Sequence, residues 1–178
     1  SGSSSGRSAP ALRVGPAALR EARRGMALAA GLRLPLVLVI DTAGPALSAE
    51  AEQGGLAGEI ARCLAELVTL NTPTVSVLLG QGSGGPALAM VPADRVLAAQ
   101  HGWLAPLPPE GAIRSADLLR NGIVDAIVAE HPDAADEPEA FISRLSATIA
   151  HELQRLALEP DEARQAARFG RCRRIGLV

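Results

Sequence analysis

The sequence predicts an α/β fold built around a largely parallel sheet. Short apolar segments alternate with helical ones across short connections, which is the order found in α/β domains. Two of the apolar segments, residues 34–41 and 74–79, show no polar alternation, so we expect strands that are covered on both faces. A glycine-rich turn, residues 80–85, then leads from the second strand into a short helix.

The composition supports one folded domain and narrows the chemistry open to it. Of the 178 residues, 48% are hydrophobic and 20% are charged, which is enough to bury a core. All 17 basic residues are Arg and Tyr is absent, so lysine Schiff bases, lysine general bases and phenolic acids are excluded. The net charge of −2 argues against a nucleic-acid partner, and no apolar run reaches the ~18 residues of a membrane span. If the chain is an enzyme, its backbone amides are the expected catalytic groups.

A helix, two strands and a second helix are expected in the first half of the chain. The first helix opens at Pro16, because proline suits the first helical turn, and Gly31 is placed to cap its end. The strands at 34–41 and 74–79 flank the second helix, residues 52–70. Apolar residues at three- and four-residue steps give that helix one apolar face, formed by Leu56, Ile60, Cys63, Leu64 and Leu67.

The second half of the chain continues the alternation and ends in helices. The predicted strands are residues 95–99, 103–105 and 123–128, and the predicted helices are residues 86–90, 115–120, 139–158 and 161–169. The helix at 139–158 is amphipathic, with an apolar face formed by Phe141, Leu145, Ile149, Leu153 and Leu156. The arginines that follow the last helix, Arg171, Arg173 and Arg174, are expected to be solvated.

The cysteine and histidine residues give little sign of a metal site or a nucleophile. Cys63 and Cys172 lie far apart, without a Cys-x-x-Cys pair or a nearby His, so no metal site is expected. Cys63 falls on the apolar face of its helix and is predicted to be a core residue. The three histidines, His101, His131 and His151, are expected at the surface. Free thiols and an N-terminus without a signal-peptide pattern suit a cytoplasmic setting.

The glycine-rich turn, Gly80-Gln81-Gly82-Ser83-Gly84-Gly85, is the strongest candidate for a functional site. A turn between a strand and a helix presents free backbone N–H groups, which bind an anion or a developing oxyanion. Glycines also permit close packing of a helix on a strand, so the local pattern leaves both roles open. The turn lacks the lysine of a P-loop and the spacing of a dinucleotide site. Ser83 has no suitably placed His that would make it a nucleophile.

A second candidate loop, residues 41–45, directly follows the first strand. Ligand sites of parallel sheets lie beyond the carboxyl ends of the strands, so this loop and the glycine-rich turn could face one pocket. Asp41 is expected to be a turn or cap residue rather than a base. Glu110 is a lone carboxylate in a proline-rich loop, where anchoring of the loop and contact with a ligand are equally open.

Several ordered motifs together resemble one family. They are residues 35–41, 58–62 and 73–80, Ser83-Gly84-Gly85, Asp94-Arg95-Val96 and Pro109-Glu110-Gly111. In this order they resemble the carboxyltransferase component of acetyl-CoA carboxylase, specifically its alpha-type half, within the crotonase superfamily. The likeness runs from Gly15 to Leu156 and is most specific over residues 40–111.

The resemblance implies a crotonase-like (ClpP/crotonase) α/β fold, which is a spiral of ββα units. Residues 1–14 would be a flexible tail, residues 15–158 the carboxyltransferase domain and residues 159–178 its C-terminal helical extension. Enzymes of this kind transfer a carboxyl group from carboxybiotin, held on a carrier protein, to acetyl-CoA or a related acyl-CoA, giving malonyl-CoA. The biotin nitrogen serves as the base, so no protein base and no metal in this chain are required.

The resemblance also implies roles for individual residues. The amides of Gly84 and Gly85 would form an oxyanion hole, and Ala43 and Gly44 would border the same pocket. The other positions expected to bind substrate or biotin are Ser83, Pro86, Glu110 and Gly111.

The chain departs from the family pattern in three places. Pro86 stands where the family usually has Ala or Gly, and proline has no N–H, so a hole made from Gly85 and Pro86 would lack a donor. Gly85 would then pair with an amide of the 43–44 loop. Ala112 runs directly into Ile113, where family members have a further helical stretch. The N-terminal strands of a full crotonase core are expected to be missing before Gly15, as in part of a longer polypeptide.

An alpha-type half is expected to need partners. A beta-type half would supply the acyl-CoA site and a biotin carboxyl carrier protein would deliver the biotin, in a homo- or hetero-oligomer. Two alternatives remain open. The gamma-type subunit of malonate decarboxylase shares the Asp41-Thr42 strand end and the Ser83-Gly84-Gly85 turn and acts on a malonyl thioester. A structural subunit would keep the fold but lose a complete oxyanion hole through Pro86.

Overall fold

Strands and helices alternate along the chain in a computed structural model that describes residues 13–106 and 111–174. None of the helices in these two ranges is long and apolar enough to cross a bilayer. The elements are, in chain order, α1 (Pro16–Leu32), β1 (Leu36–Thr42), α2 (Ala49–Gln53), α3 (Leu56–Thr69), β2 (Thr74–Ser83), α4 (Gly84–Leu88), β3 (Arg95–Ala99), β4 (Trp103–Ala105), β5 (Ile113–Arg114), α5 (Ser115–Arg120), β6 (Ala126–Val128), α6 (Pro138–Ala157) and α7 (Asp161–Arg174).

β2 is the central strand of the sheet. Its first half pairs in parallel with β1 and β3, and its last residues, 81–83, pair in parallel with β4. β3 continues the sheet to β6, again in parallel, while the short β5 runs antiparallel beside β4. The sheet curls around β2, because this strand exchanges neighbours along its length.

β1 and β2 change register close to their carboxyl ends. Between the pairs formed by Ile40 and by Thr42, β2 has three residues where β1 has only Asp41. The Asp41 carboxylate accepts a hydrogen bond from the Gln81 amide at 3.1 Å, which holds the extra residues in place. Such bulges bend a strand and re-aim it. Here the bulge lies where β2 begins to pair with β4.

The core occupies both faces of β2, whose residues 74–78 are all buried, as predicted. On one face, α6 packs against Val75, Val77 and Leu97, using the apolar side predicted for that helix. On the other face, Leu78 packs with Leu104, Leu118 and the residues that follow α4. A further cluster joins α1 and α3 and includes the fully buried Leu19, Met26, Cys63 and Leu67.

β1 is not covered on both faces, and that prediction is wrong. Val37 and Val39 are 38% and 63% exposed, whereas Leu38 and Ile40 are buried. No helix in the described ranges packs over the face that carries Val37 and Val39. The apolar character of both faces therefore does not show that both are buried in this chain.

Two helix boundaries differ from the prediction. The C-cap of α1 is Arg33, two residues later than Gly31, because Arg33 adopts a left-handed conformation, φ 55°, and its N–H closes the helix on the carbonyls of Ala29 and Ala30. The predicted helix at 52–70 is split into α2 and α3. Gly55, φ 78°, makes the break, since this conformation is accessible to glycine at little cost.

Two strand predictions also change. The strand expected at 74–79 continues to Ser83, because β4 offers a hydrogen-bonding partner to the glycine-rich residues 81–83. The strand expected at 123–128 shrinks to β6, since Ile123 and Val124 close a turn on the carbonyl of Leu118.

The C-terminal arginines are not uniformly solvated. α7 extends to Arg174, so the basic residues belong to the helix rather than to an end after it. Arg173 and Arg174 are exposed, but Arg171 is buried and donates hydrogen bonds to both carboxylate oxygens of Asp125. At the other end of the chain, Val14 pairs with Pro45, which ties the start of the described chain to the 41–45 loop.

Candidate functional site

The 41–45 loop and the glycine-rich turn meet at the carboxyl ends of β1 and β2. A Cβ atom on Gly44 would lie 3.4 Å from Ser83 Oγ, and one on Gly84 would lie 2.8 Å from Pro45 Cδ. Real Cβ contacts do not become as short as 2.8 Å, so the loops pack directly against each other at this point. The structure thus brings together the two segments that were expected to face one pocket.

Gly84 begins α4 in a conformation that favours glycine. Its φ is +71°, in the left-handed region that costs other residues about 1–2 kcal/mol. α3 lies against the next residue, because a Cβ atom on Gly85 would be 3.1 Å from Ile60 Cδ1. The two glycines therefore allow Pro45 and Ile60 to pack closely against the turn.

The turn offers backbone N–H groups at the first two positions of α4. The N–H groups of Gly84 and Gly85 have no acceptor within the helix, since the first four amides of a helix lack one. The third position is Pro86, which is buried and has no N–H. A hole that uses the amides of Gly85 and Pro86 is excluded, whereas one that uses Gly84 and Gly85 is chemically possible.

The 41–45 loop is organised by Thr42. Its Oγ1 accepts a hydrogen bond from the Gly44 amide at 3.1 Å and donates one to the Gly44 carbonyl at 3.2 Å. Gly44 has a φ of +120°, and its carbonyl also accepts from the Val14 amide. The Gly44 amide is therefore engaged inside the loop.

Asp41 is a positioning residue for the turn. Its Oδ1 accepts from the Gln81 amide, and a Cβ atom on Gly80 would lie only 2.7 Å from the same oxygen. A side chain at position 80 would therefore have to displace the Asp41 carboxylate. These contacts agree with the turn role expected for Asp41.

The remaining predicted residues differ in burial, and one of them is not described by the structure. Ser83 is buried and precedes α4 without a side-chain cap bond. Gly111 is exposed, and Glu110 lies outside the described residues. Cys63 is fully buried, as predicted, and burial raises the pKa of its thiol to about 11.

One group of potential metal ligands was not found from the sequence. His101, Glu130 and Asp133 place one ligand atom each within 4.8 Å of one another, beyond the carboxyl ends of β3 and β6. His101 Nδ1 lies 3.4 Å from Glu130 Oε2. The buried Glu130 carboxylate already accepts from the amides of His101 and Ala134, so a structural role accounts for it. Nothing in the sequence spacing points to this group, because its members come from different elements.

An apolar cavity of about 290 Å³ lies beside the glycine-rich turn. It is bounded by Leu64 of α3, Leu88 of α4 and Leu118 of α5, and by residues of β4, the strand that pairs with the turn. Arg171 is its one charged lining residue among those described. This cavity is not predicted from the sequence, because its walls are assembled from five separate segments.

The sequence of this chain is similar to that of known carboxyltransferases. Residues 13–176 match the family model described as acetyl co-enzyme A carboxylase carboxyltransferase-like. The chain belongs to this family. Among its relatives, a Mycobacterium tuberculosis protein named as a biotin-dependent acyl-coenzyme A carboxylase beta3 subunit is 70% identical over 183 residues. The acetyl-coenzyme A carboxylase carboxyl transferase subunit alpha of Methylobacterium nodulans is 36% identical over 171 residues.

These alignments also show how much of each protein is shared. They cover 92% and 84% of this chain, but only 37% and 54% of the two relatives. The carboxyltransferase-like chain thus spans between a third and just over half of the curated relatives it matches. The alignment with the Mycobacterium tuberculosis relative spans 183 residues, but it covers only 92% of the 178 residues of this chain, or about 164 residues. About 19 residues of the relative therefore have no counterpart in this chain.

A solved structure confirms the fold of this carboxyltransferase-like chain. Transcarboxylase 12S superposes with a TM-score of 0.69 at 21% sequence identity, over 83% of this chain and 32% of that one. At this identity the likeness speaks for the fold alone. The predicted crotonase-like architecture and the resemblance to carboxyltransferases are both confirmed.

Proposed function

We propose that the chain is the alpha-type carboxyltransferase part of a biotin-dependent acyl-CoA carboxylase. The observation that carries the proposal is the Gly84-Gly85 turn, held against the 41–45 loop in a chain of this family. Two consecutive amides at a strand-to-helix turn are suited to an oxygen atom that gains negative charge during reaction. Acetyl-CoA or a related acyl-CoA would be the acceptor, and malonyl-CoA the product from acetyl-CoA.

The side chains available here support a reaction that draws on backbone donors. The chain has no Lys or Tyr, and Asp41, whose carboxylate contacts the turn, is occupied with the Gln81 amide. Carboxybiotin, when bound, would supply both the carboxyl group and the nitrogen base. The amides of Gly84 and Gly85 would bind a carbonyl or enolate oxygen, and Ala43 and Gly44 would border that oxygen's pocket. Ser83, Pro86, Glu110 and Gly111 would line the approach for substrate or biotin.

The pair of amides fits a carbonyl-type oxygen. Gly84 is buried and Gly85 half-buried, so charge that develops there would be shielded from water. Donors that are fixed before the reaction need no reorganisation, and the loss of one oxyanion donor costs about 3–4 kcal/mol in the transition state. Pro86 limits the turn to these two amides.

The chain is proposed to act with partners. A beta-type half would complete the acyl-CoA site, and a biotin carboxyl carrier protein would deliver the carboxyl group. This arrangement is supported by relatives that are much longer than this chain, and by the combined beta/alpha form of the carboxyl transferase among the named relatives. A homo- or hetero-oligomer would bring these parts together.

The proposal is tested by reconstitution. The chain is mixed with a beta-type partner, a carboxybiotin-loaded carrier and acetyl-CoA, and malonyl-CoA is quantified by mass spectrometry. We expect malonyl-CoA to form only when all components are present. Absence of product from a chain whose circular dichroism shows the native fold would contradict the proposal. Release of CO2 from a malonyl thioester on a carrier, without biotin, would instead identify a malonate decarboxylase subunit.

A further inference from the structure

Glu130 is a buried carboxylate that no arginine neutralises among the described residues. Its side chain is 6% exposed, and its ion-pair contact is with the imidazole of His101, which is charged only when it is protonated. Arg144 donates to the carbonyl of Ala129, beside Glu130, but its ion pair is with Glu137. The other buried carboxylates each pair with at least two arginines, and they are Glu59, Asp94 and Glu152. Because a buried charge without compensation is costly, such charges in proteins are paired or bind a metal ion.

Two backbone amides hold the Glu130 carboxylate in place but do not neutralise it. Oε1 accepts a hydrogen bond from the amide of His101 and Oε2 accepts one from the amide of Ala134, both at 3.0 Å. An ionised carboxylate has about four lone-pair positions, so each oxygen can take a further partner. Carboxylates that bind metal ions are typically oriented by hydrogen bonds of this kind. The structural role of Glu130 is therefore compatible with a role as a metal ligand.

His101 and Asp133 place further ligand atoms beside this carboxylate. His101 Nδ1 lies 3.4 Å from Glu130 Oε2 and 3.9 Å from Asp133 Oδ2, and the three ligand atoms lie within 4.8 Å of one another. The other oxygen of Asp133, Oδ1, accepts from the Ala135 amide, which leaves Oδ2 to face the histidine. Two atoms bound at about 2.1 Å to one tetrahedral ion are about 3.4 Å apart, so the spacing of His101 and Glu130 already fits. Asp133, whose side chain is 57% exposed, would need to move by only about 0.5 Å.

We infer that His101, Glu130 and Asp133 bind one Zn²⁺ ion between the loops that follow β3 and β6. One imidazole and two carboxylates suit Zn²⁺, whereas Mg²⁺ and Ca²⁺ favour ligands that are all oxygen atoms. The two positive charges of the ion would balance the two carboxylates, and water would take the fourth position. β3 and β6 are neighbouring parallel strands, so the ion would tie their carboxyl ends together and stabilise the sheet there. This role does not depend on the proposed reaction.

Titration of the full chain with Zn²⁺ tests the inference. The chain is stripped of metal with EDTA, dialysed, and titrated at pH 7 with Zn²⁺ and separately with Mg²⁺ by isothermal titration calorimetry. We expect one Zn²⁺ ion per chain, bound about tenfold or more tightly than Mg²⁺. With free Zn²⁺ at a hundred times its dissociation constant, the melting temperature should rise by about 5–10 °C, because the assembled site exists only in the folded chain.

Variants of the two exposed ligands show whether these residues hold the ion. Asp133→Asn and His101→Gln should each weaken Zn²⁺ binding about tenfold or more and remove most of the rise in melting temperature. Asp136→Asn is the matched control, because Asp136 is an exposed carboxylate of the same loop, and it should leave both unchanged. Absence of Zn²⁺ binding to the original chain, or equal affinity of the Asp133→Asn and Asp136→Asn variants, would overturn the inference. Stabilisation on acidification from pH 7 to pH 5.5 that His101→Gln abolishes, without an effect of Zn²⁺, would also overturn it and would make a proton on His101 the compensating charge.

Discussion

Arg168 donates from Nε and Nη2 to the same oxygen of Asp94, Oδ1, at 2.9 and 2.7 Å, although 74 residues separate the two. Both side chains are almost completely buried. The other oxygen of Asp94 accepts from the amide and the hydroxyl of Thr74, at the start of β2. Arg168 Nη1 also donates to the carbonyls of Leu67 and Leu70, at the end of α3. One ion pair thus joins α7 to the end of α3 and to the start of β2, the strand that leads into the glycine-rich turn.

Replacing Arg168 with Met should destabilise the fold strongly. The substitution keeps most of the volume but removes the closer guanidinium partner of the buried Asp94 carboxylate and leaves only Arg164, whose Nε is 3.5 Å from Asp94 Oδ2. Breaking a buried ion pair typically costs about 3–5 kcal/mol. Urea denaturation would measure this as a fall in the free energy of unfolding. Arg173→Met is the matched control, because Arg173 is exposed on the same helix and should change stability by less than about 0.5 kcal/mol. Equal stability of the two variants would show that the buried pair contributes little.

Replacing Gly84 with Ala should harm both stability and the proposed activity. The new Cβ would require a left-handed backbone and would lie 2.8 Å from Pro45 Cδ. Gly55→Ala is the matched control, because Gly55 also has a positive φ, +78°, but has open space around its Cβ position. We expect Gly55→Ala to cost about 1–2 kcal/mol of unfolding free energy and Gly84→Ala clearly more. Thermal denaturation of both variants measures the difference, and equal costs would mean that the loop yields to the added methyl group.

Replacing Pro86 with Ala tests which amides form the oxyanion hole. The variant gains an N–H at the third position of α4. If the hole consists of Gly84 and Gly85, kcat in the reconstituted carboxylation assay should stay within about threefold of the original. A rise by about 10²-fold, the worth of one oxyanion donor, would instead show that the original hole lacks a donor. Gly85→Ala in the same assay tests whether the position of the second amide depends on its close contact with α3, because the new Cβ would lie 3.1 Å from Ile60 Cδ1.

The sequence could predict the segments of the site because their chemistry is local. A strand followed by glycines and a short helix specifies a turn with free amides wherever it occurs, and the loop after β1 follows from the end of an apolar run. The long-range pairing that extends β2 to Ser83 could not be predicted in this way, because it depends on β4. Glycine has no preference of its own for a strand.

The buried arginines were missed for a similar reason. On α7 the local pattern is polar, and arginine near a chain end is usually solvated. Arg168 and Arg171 are buried because Asp94 and Asp125, far away in the sequence, meet them in the fold. The exposed face of β1 is the converse case, since Val37 and Val39 look like core residues and only the arrangement of the helices shows otherwise.

Cys63 should be unreactive towards thiol reagents in the folded chain. Burial raises the pKa of its thiol to about 11, so at pH 8 only about one thiol in a thousand is ionised, and it is the thiolate that reacts. Alkylation by iodoacetamide should therefore be at least 100-fold slower in buffer than in 8 M urea. The Cys172→Ser variant confines the measurement to Cys63. Rapid alkylation of the folded variant would show that the α1–α3 core opens readily.

The ion pairs of Glu59 should make part of the stability of α1 and α3 sensitive to acid. A hydrogen bond from Arg23 holds the pKa of the Glu59 carboxyl below its usual value of 4.5, with smaller support from Arg62 and against the opposing effect of desolvation. Because the folded pKa is the lower one, the ionised carboxylate stabilises the fold fully above about pH 4.5 and progressively less as the pH falls through the folded pKa. Glu59→Gln should therefore lower the melting temperature near pH 7 and reduce its further fall between pH 5 and pH 3. Glu162→Gln, at an exposed site on α7, is the matched control. If both variants kept the pH profile of the original chain, the Arg23–Glu59 pair would not be the source of the acid sensitivity.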